Sequence, residues 1–250
     1  NCSRLNDLTL ENTVVSVGDF AFSGSSSLSE LEIPTSITSV GREAFRGATG
    51  LTSLVIPANV TSIGAYAFAD NTGLETIEIP GTLSVIDKAL FQGATALTTV
   101  ILGEGIEVIG EAAFFHAVKL NAITLPTTLK TIGEDAFNDT SLTSLNIPVS
   151  VTSIGPKAFL RAPIESLIMG GMIEDLTSGA FTGRGTVNGV WQDFSICTTL
   201  RSAHLNLISI PAQLFYRCLE LTELYLGDSV ETIGNSAFYE ASGLTSLSIP

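Results

Sequence analysis

The chain has 250 residues, of which 45% are apolar, 14% charged and 7% aromatic, and its 25 acidic against 11 basic side chains set a formal net charge of −14. That composition buries enough apolar surface to offset its ordering entropy, which excludes disorder, and no uninterrupted apolar run reaches the ~18 residues of a membrane-spanning helix. The negative charge disfavours nucleic acid, heparin-like polymers and anionic lipid surfaces as partners.

Residues Asn1 to Arg4 match the tail of a repeating unit rather than a polar cap. From there one pattern restarts at Leu5, Leu28, Leu51, Leu74, Leu97, Leu120, Leu142, Ile164, Leu200, Leu221 and Leu244. The regular spacing is 23 residues, as from Leu28 to Leu51. Each unit reads roughly L-x-x-[LIV]-x-[IL]-P-x-x-[VIL]-x-x-[IV]-G-x-x-A-F. Ten repeats and a partial eleventh fill residues 1–250 as a single domain. Of 13 Phe, ten share one column: Phe22, Phe45, Phe68, Phe91, Phe114, Phe137, Phe159, Phe181, Phe215 and Phe238. Six Pro share another: Pro34, Pro57, Pro80, Pro126, Pro148 and Pro250.

The columns translate into local structure. The segment L-x-x-L-x-I ends in period-2 alternation, which predicts a short strand with one buried face. Proline ends it, having no N–H for a ladder. The stretch V-x-x-I-G-x-x-A-F buries the other side of the coil, with glycine at a tight bend, and the Phe column stacks into a spine. One unit cannot close a core, but stacked units can. The expected fold is an α/β-type repeat solenoid, a right-handed coil with a concave parallel β-sheet and little regular helix.

Further along the chain the pattern loosens. Asp87 replaces the glycine and Leu90 the alanine of the fourth turn, both tolerable changes. The sixth and seventh repeats have 22 residues. Then 18 residues, 182–199, separate Phe181 from Leu200 where five are usual. This insert contains the single Trp, Trp191, and Phe194, which competes with Phe181 for one place in the spine. It reads either as a ligand-gripping loop on a rigid scaffold or as a degenerate repeat whose Trp191 patches the core. The next repeat has 21 residues and carries Ile-Pro-Ala-Gln-Leu-Phe at 210–215. The last residue, Pro250, falls in mid-repeat. Solenoids need polar capping units, so both ends are expected to be cut from a longer array.

The segment LTSLVIPANVTSIGAYAFADNTG, Leu51 to Gly73, is similar to the BspA-like leucine-rich repeat family, with its I-P and I-G-x-x-A-F signatures. The resemblance covers nearly the whole chain. It implies a leucine-rich repeat solenoid with a concave β-sheet, an extracellular or cell-surface location, and an adhesive or protein-binding role. The family motif is structural, so it carries over core positions and no active site. The family often has Cys three residues before a restart, where this chain has Cys2, Cys197 and Cys218.

Positions one, two and four after each restart should face solvent on the sheet. The fourth-position column reads Thr9, Glu32, Val55, Glu78, Ile101, Thr124, Asn146, Ile168, His204, Tyr225 and Ser248. The three columns together hold seven acids and one base, Arg201, among many Ser and Thr. Glu30, Glu32, Glu75 and Glu78 define an acidic face that suits a partner with a basic surface, or that keeps an uncovered sheet soluble. One patch differs in character. Arg201, His204, Glu223 and Tyr225 lie on adjacent turns, Ile168 shares their column, and the insert with Trp191 leads into it. Tyr and Arg are interface hot-spot types, which makes this the candidate binding patch. Drift at an irregular repeat would give the same variety.

Catalysis, metals and cofactors are not expected. The two histidines, His116 and His204, belong to no readable Ser–His–Asp set, and no H-E-x-x-H, paired C-x-x-C, P-loop or EF-hand occurs. Cys197 and Cys218 should stack about 4.8 Å apart, within disulfide range, but side chains in one column point the same way, so a bridge is possible and not favoured. The triplets at Asn1, Asn59 and Asn138 fit N-glycosylation and arise easily in a Thr-rich chain. The reading is a monomeric, non-enzymatic, surface-exposed protein-binding or adhesion module whose partner is a basic host or matrix protein, with no membrane insertion in this segment. The alternative is the ligand-sensing ectodomain of a receptor whose signalling domain lies outside it.

Overall fold

A computed structural model describes residues 2–170 and 199–249, together with the backbone of residues 175–176, 182–187 and 190–195. It shows a parallel-strand β-solenoid of about eight turns. Each regular turn has three sides. The first carries the longer strands. Ser53–Val55, Thr76–Ile79 and Thr99–Leu102 form one parallel sheet, and Ser144–Ile147, Ser166–Gly170, Ser202–Asn206 and Glu223–Leu226 form another. The second carries two-residue strands, such as Val85–Ile86, Val108–Ile109, Thr131–Ile132 and Ser153–Ile154. The third is a column of turns around the Phe residues.

Register follows the repeat. Leu54 pairs with Ile77 and Ile77 with Val100 on the first side, while Ile86 pairs with Ile109 and Ile109 with Ile132 on the second. All six are buried, so each side contributes one apolar row to a shared core. A one-residue slip would turn these rows to solvent, which is why the pairing is well specified.

The α/β designation is not met: among the described residues there is no helix. The backbone of the third side explains why. In each regular turn the second residue before the Phe has a left-handed φ, as at Phe20 (57°), Glu43 (53°), Tyr66 (62°), Ala112 (55°) and Lys157 (56°). Such a residue interrupts any right-handed helix. The freed N–H groups cross to the next turn instead: Phe45 donates to Ala67 C=O at 2.9 Å and Phe114 to Ala136 C=O at 2.8 Å. Left-handed φ costs a non-glycine residue about 1 kcal/mol. Ala112→Gly is therefore expected to raise stability by up to about 1 kcal/mol, read as a higher urea midpoint; a lower midpoint would show that the strain is not there.

The Phe spine forms as the column pattern requires. Rings from Phe22 to Phe159 stack nearly parallel with centroids 5.3 to 5.9 Å apart, and Phe215 stacks on Phe238 at 5.7 Å. Phe45, Phe68, Phe91, Phe114, Phe137, Phe159 and Phe215 are fully buried. The choice between Phe181 and Phe194 lies outside the described side chains.

The insert contains an antiparallel hairpin, Thr182–Val187 with Val190–Ser195. Val187 pairs with Val190, so two residues join the strands. Those residues are Asn188 and Gly189, the dipeptide favoured in two-residue hairpins. The hairpin leaves the long-strand sheet intact, because Ser166–Gly170 pairs directly with Ser202–Asn206.

Cys218 is fully buried and disulfide-bonded, whereas Cys2 is free and exposed. Cys197 lies outside the described residues. With three cysteines in the chain, non-reducing peptide mapping is expected to link Cys218 to Cys197, with a two-dalton gain on reduction. A Cys218 peptide found free, or joined to a second chain, would contradict this.

Candidate binding surface

The outward row of the long strands assembles as the periodicity requires. Val55 stands in register with Glu78 and Glu78 with Ile101. Further along, Asn146 pairs with Ile168, Ile168 with His204 and His204 with Tyr225. These side chains are free of the core: Val55 is 60% exposed, Ile101 54%, Ile168 46% and Tyr225 51%. The exposed aliphatics alternate with polar side chains: Glu78 stands between Val55 and Ile101, and Asn146 and His204 flank Ile168.

Ile168, His204 and Tyr225 therefore sit side by side on three adjacent strands. The His204 and Tyr225 rings approach to 5.7 Å with a 39° tilt. Glu223 is exposed and pairs with Ser202, and exposed Arg201 precedes that strand, its carbonyl accepting the Glu223 N–H at 3.1 Å. The structure brings these five residues onto one face. Trp191 belongs to the hairpin, where it pairs with Thr186 next to the tip pair; its side chain lies outside the described residues.

Glu75 and Glu78 are exposed at the strand Thr76–Ile79, while Glu30 and Glu32 are exposed two repeats earlier in a stretch without an assigned strand; none of the four forms an ion pair among the described residues. The hydroxyls of this face are partly engaged. Thr98 Oγ1 donates to Glu75 C=O at 3.2 Å and Thr222 Oγ1 to Arg201 C=O at 3.3 Å, each binding back to the preceding turn. These hydroxyls stitch turns together as well as facing solvent.

The turn side behaves in the opposite way. Charges there are paired between neighbouring turns: Arg46 with Asp70 at 3.0 Å, Lys88 with Glu111 at 2.8 Å and Arg217 with Glu240 at 2.7 Å, and the His116 Nδ1 lies 2.6 Å from Asp139 Oδ2. Hydrogen bonds to Asp70 and Glu43 raise the Arg46 pKa, and the bond to Glu111 raises that of Lys88. Glu240 is held below its ordinary value by hydrogen bonds from Tyr239 and Arg217. Exposed Phe20 and Tyr239 and half-buried Tyr66 and Tyr216 flank these pairs. The Arg42 guanidinium lies 5.9 Å from the Phe20 ring and 6.0 Å from Tyr66, and Tyr216 stacks on Tyr239 at 5.0 Å. The sequence reading passed over this side. Its signal was available: Phe20 and Tyr66 recur two positions before the spine Phe, and Phe115, Tyr216 and Tyr239 one position after it.

These pairs carry a small pH dependence. Glu240 has a lowered folded pKa, as does Glu104 through its hydrogen bonds from the Thr127 backbone and hydroxyl. Their contribution is complete above the ordinary glutamate pKa and is lost as the pH falls through the lowered folded value. A melting temperature that falls across that acidic window is expected, with a slope reduced in a Glu104→Gln, Glu240→Gln variant. An unchanged slope would remove these two groups from the account.

Among the described residues no group of three or more His, Cys, Asp or Glu could hold a metal ion, and no helix is long and apolar enough to cross a membrane.

Comparison with known proteins agrees with this geometry. A model of the BspA type Leucine rich repeat region matches residues 1–116, 85–188 and 192–250, in six copies. A leucine-rich repeat protein from Bacteroides ovatus is similar over 100% of this chain, at 29% identity and a TM-score of 0.81. One from Eubacterium ventriosum is similar over 60% of the chain, at 35% identity and a TM-score of 0.56. The chain spans 62% of the first protein's length and 41% of the second's. A leucine rich cell surface protein from Faecalibacterium prausnitzii shares the fold at 21% identity, with a TM-score of 0.57 over 93% of this chain and 82% of its own. No curated protein matches the chain.

Proposed function

Because the chain belongs to the BspA-type leucine-rich repeat family, we propose that it is a non-catalytic protein-binding or adhesion module acting outside the cell, and that its long-strand face is the working surface. The observation that carries this reading is the contrast between two faces. On the turn side, charges meet opposite charges one turn away. On the long-strand face, Glu30, Glu32, Glu75 and Glu78 stand without ion-pair partners beside exposed Val55 and Ile101. Within one turn Glu30 lies two residues from Glu32 and Glu75 three from Glu78, so unpaired acids of one sign repel each other along the same turn. A basic partner relieves that repulsion and covers the aliphatics in the same act, and long-range attraction speeds its arrival.

In this reading the coil is right-handed, the sense in which parallel-strand crossovers run, and the long-strand sheet lines its concave side. The module is rigid because every turn is tied to its neighbours, so a partner binds with little ordering cost in the scaffold. Ile168, Arg201, His204, Glu223 and Tyr225 form a second station on the same face, whose ring pair offers an aromatic anchor. The partner is a basic protein surface, the chain acts as a monomer, and no cofactor takes part.

Carboxyl footprinting tests the reading. The protein is labelled with carbodiimide and an amine, with and without a decalysine peptide at low salt. Protection is expected at Glu30, Glu32, Glu75 and Glu78, with no change at Glu111 and Glu134, which pair with Lys88 and Lys157 on the turn side. Equal protection on both sides, or protection on the turn side alone, would contradict it.

A further inference from the structure

We propose that Asn59 is an acceptor site for an N-linked glycan. Of the three Asn-x-Ser/Thr triplets in the chain, the first begins at Asn1, which lies outside the described residues. The structure separates the other two. Asn59 is the third residue of a β-turn closed by Val60 N–H donating to Pro57 C=O at 3.0 Å, and its side chain is exposed. Its carboxamide forms no hydrogen bond among the described residues. Two positions on, Thr61 is also exposed; its hydroxyl makes only a long 3.3 Å contact to Thr38 C=O.

Asn138 is the opposite case. It is 5% exposed and its Nδ2 donates to Asp135 Oδ1 at 2.6 Å. Thr140 is 4% exposed and its hydroxyl donates to Phe137 C=O at 2.9 Å. A glycosyl-transferring enzyme must reach both the carboxamide nitrogen and the hydroxyl, so the fold closes this triplet and leaves the Asn59 triplet open.

A second observation points to the same compartment. Cys218 is disulfide-bonded, and structural disulfides belong to oxidising, extracytoplasmic environments, where N-glycans are also attached. The chemistry balances with one co-reactant, a lipid-pyrophosphoryl oligosaccharide. Nδ2 of Asn59 forms a bond to the sugar C1, the bond from C1 to the pyrophosphate oxygen breaks, an Nδ2 proton passes to a base of the transferase, and the lipid pyrophosphate leaves. The glycan would stand at the corner where the long-strand face turns into the short-strand side, the position held by Ser36 and Ser150 in other turns. This inference is independent of which partner the long-strand face takes.

The test is secretion of the chain from a eukaryotic host, with peptide mapping after N-glycosidase treatment in heavy-oxygen water. Labelled Asp is expected at position 59 and unlabelled Asn at position 138. Gel mobility should shift on deglycosylation for the wild type and for Asn138→Gln, and the shift should shrink or vanish for Asn59→Gln and Thr61→Val. Unlabelled Asn59 in the secreted, disulfide-bonded protein would overturn the proposal, and so would labelling confined to Asn138.

Discussion

Phe91→Ala is expected to lower stability by about 3–5 kcal/mol. Phe91 sits in the middle of the spine, fully buried, with Phe68 at 5.9 Å on one side and Phe114 at 5.7 Å on the other. Its removal takes away the buried ring, two stacked contacts and the wedge that holds one turn against the next. The rigid ladder around it, with Phe91 N–H donating to Ala113 C=O at 2.9 Å, leaves little room for collapse. Turns contact only their neighbours, so the loss should decouple the segments on either side as well as weaken the whole. The check is chemical denaturation followed by far-ultraviolet circular dichroism. The expected curve has a lower midpoint and a broadened or split transition. A fall below about 1 kcal/mol would mean that the spine is filler rather than the central support of the coil.

Replacing Glu30, Glu32, Glu75 and Glu78 together by Gln is expected to weaken binding of decalysine about tenfold or more at low salt. Each exposed charge contributes up to about 1 kcal/mol, and about 1.4 kcal/mol is a factor of ten. The salt dependence of the remaining affinity should flatten, because fewer unpaired charges are left to screen. Folding should hardly change, since these side chains reach solvent and make no ion pairs among the described residues. Titration by fluorescence anisotropy at two ionic strengths gives both quantities. Equal affinity for the variant and the wild type would remove electrostatics from the account of this face.

How much of this was legible in the sequence depended on whether the cause was periodic. The buried rows announced themselves because each recurs at the repeat length: Leu54, Ile77 and Val100 on one side, Ile86, Ile109 and Ile132 on the other, and the Phe column between them. Outward positions followed from the strand period alone, which is why Val55, Glu78 and Ile101 could be placed on one face. The backbone of the turn side was not legible. Its left-handed residues include Phe20, Glu43, Tyr66 and Lys157, side chains that carry no conformational preference for that region. Only the tie to the next turn holds them there, and that tie is a tertiary fact. This is the reason the coil, expected to hold little regular helix, was given an α/β label that the described residues, with no helix, do not meet.

Two features were legible and passed over. Asn188-Gly189 between Val187 and Val190 is a hairpin signature inside the insert. The ion pairs of the turn side are separated by one repeat, as Lys88 from Glu111 and Arg217 from Glu240. A search for opposite charges at that spacing would have found them. Column geometry put Cys197 and Cys218 within disulfide range but turned their side chains the same way, so it did not favour the disulfide that Cys218 forms.

The central claim is that the long-strand face binds and the turn side holds the coil together. One assay comparing the two sides tests it most directly. Decalysine affinity is measured for the wild type, for the long-strand set Glu30, Glu32, Glu75 and Glu78 changed to Gln, and for a matched turn-side set, Asp70→Asn with Glu111, Glu134 and Glu240 changed to Gln. The account predicts weaker binding for the first set alone, and a lower melting temperature for the second set alone. Binding lost through the turn-side set, with the long-strand set neutral, would contradict it.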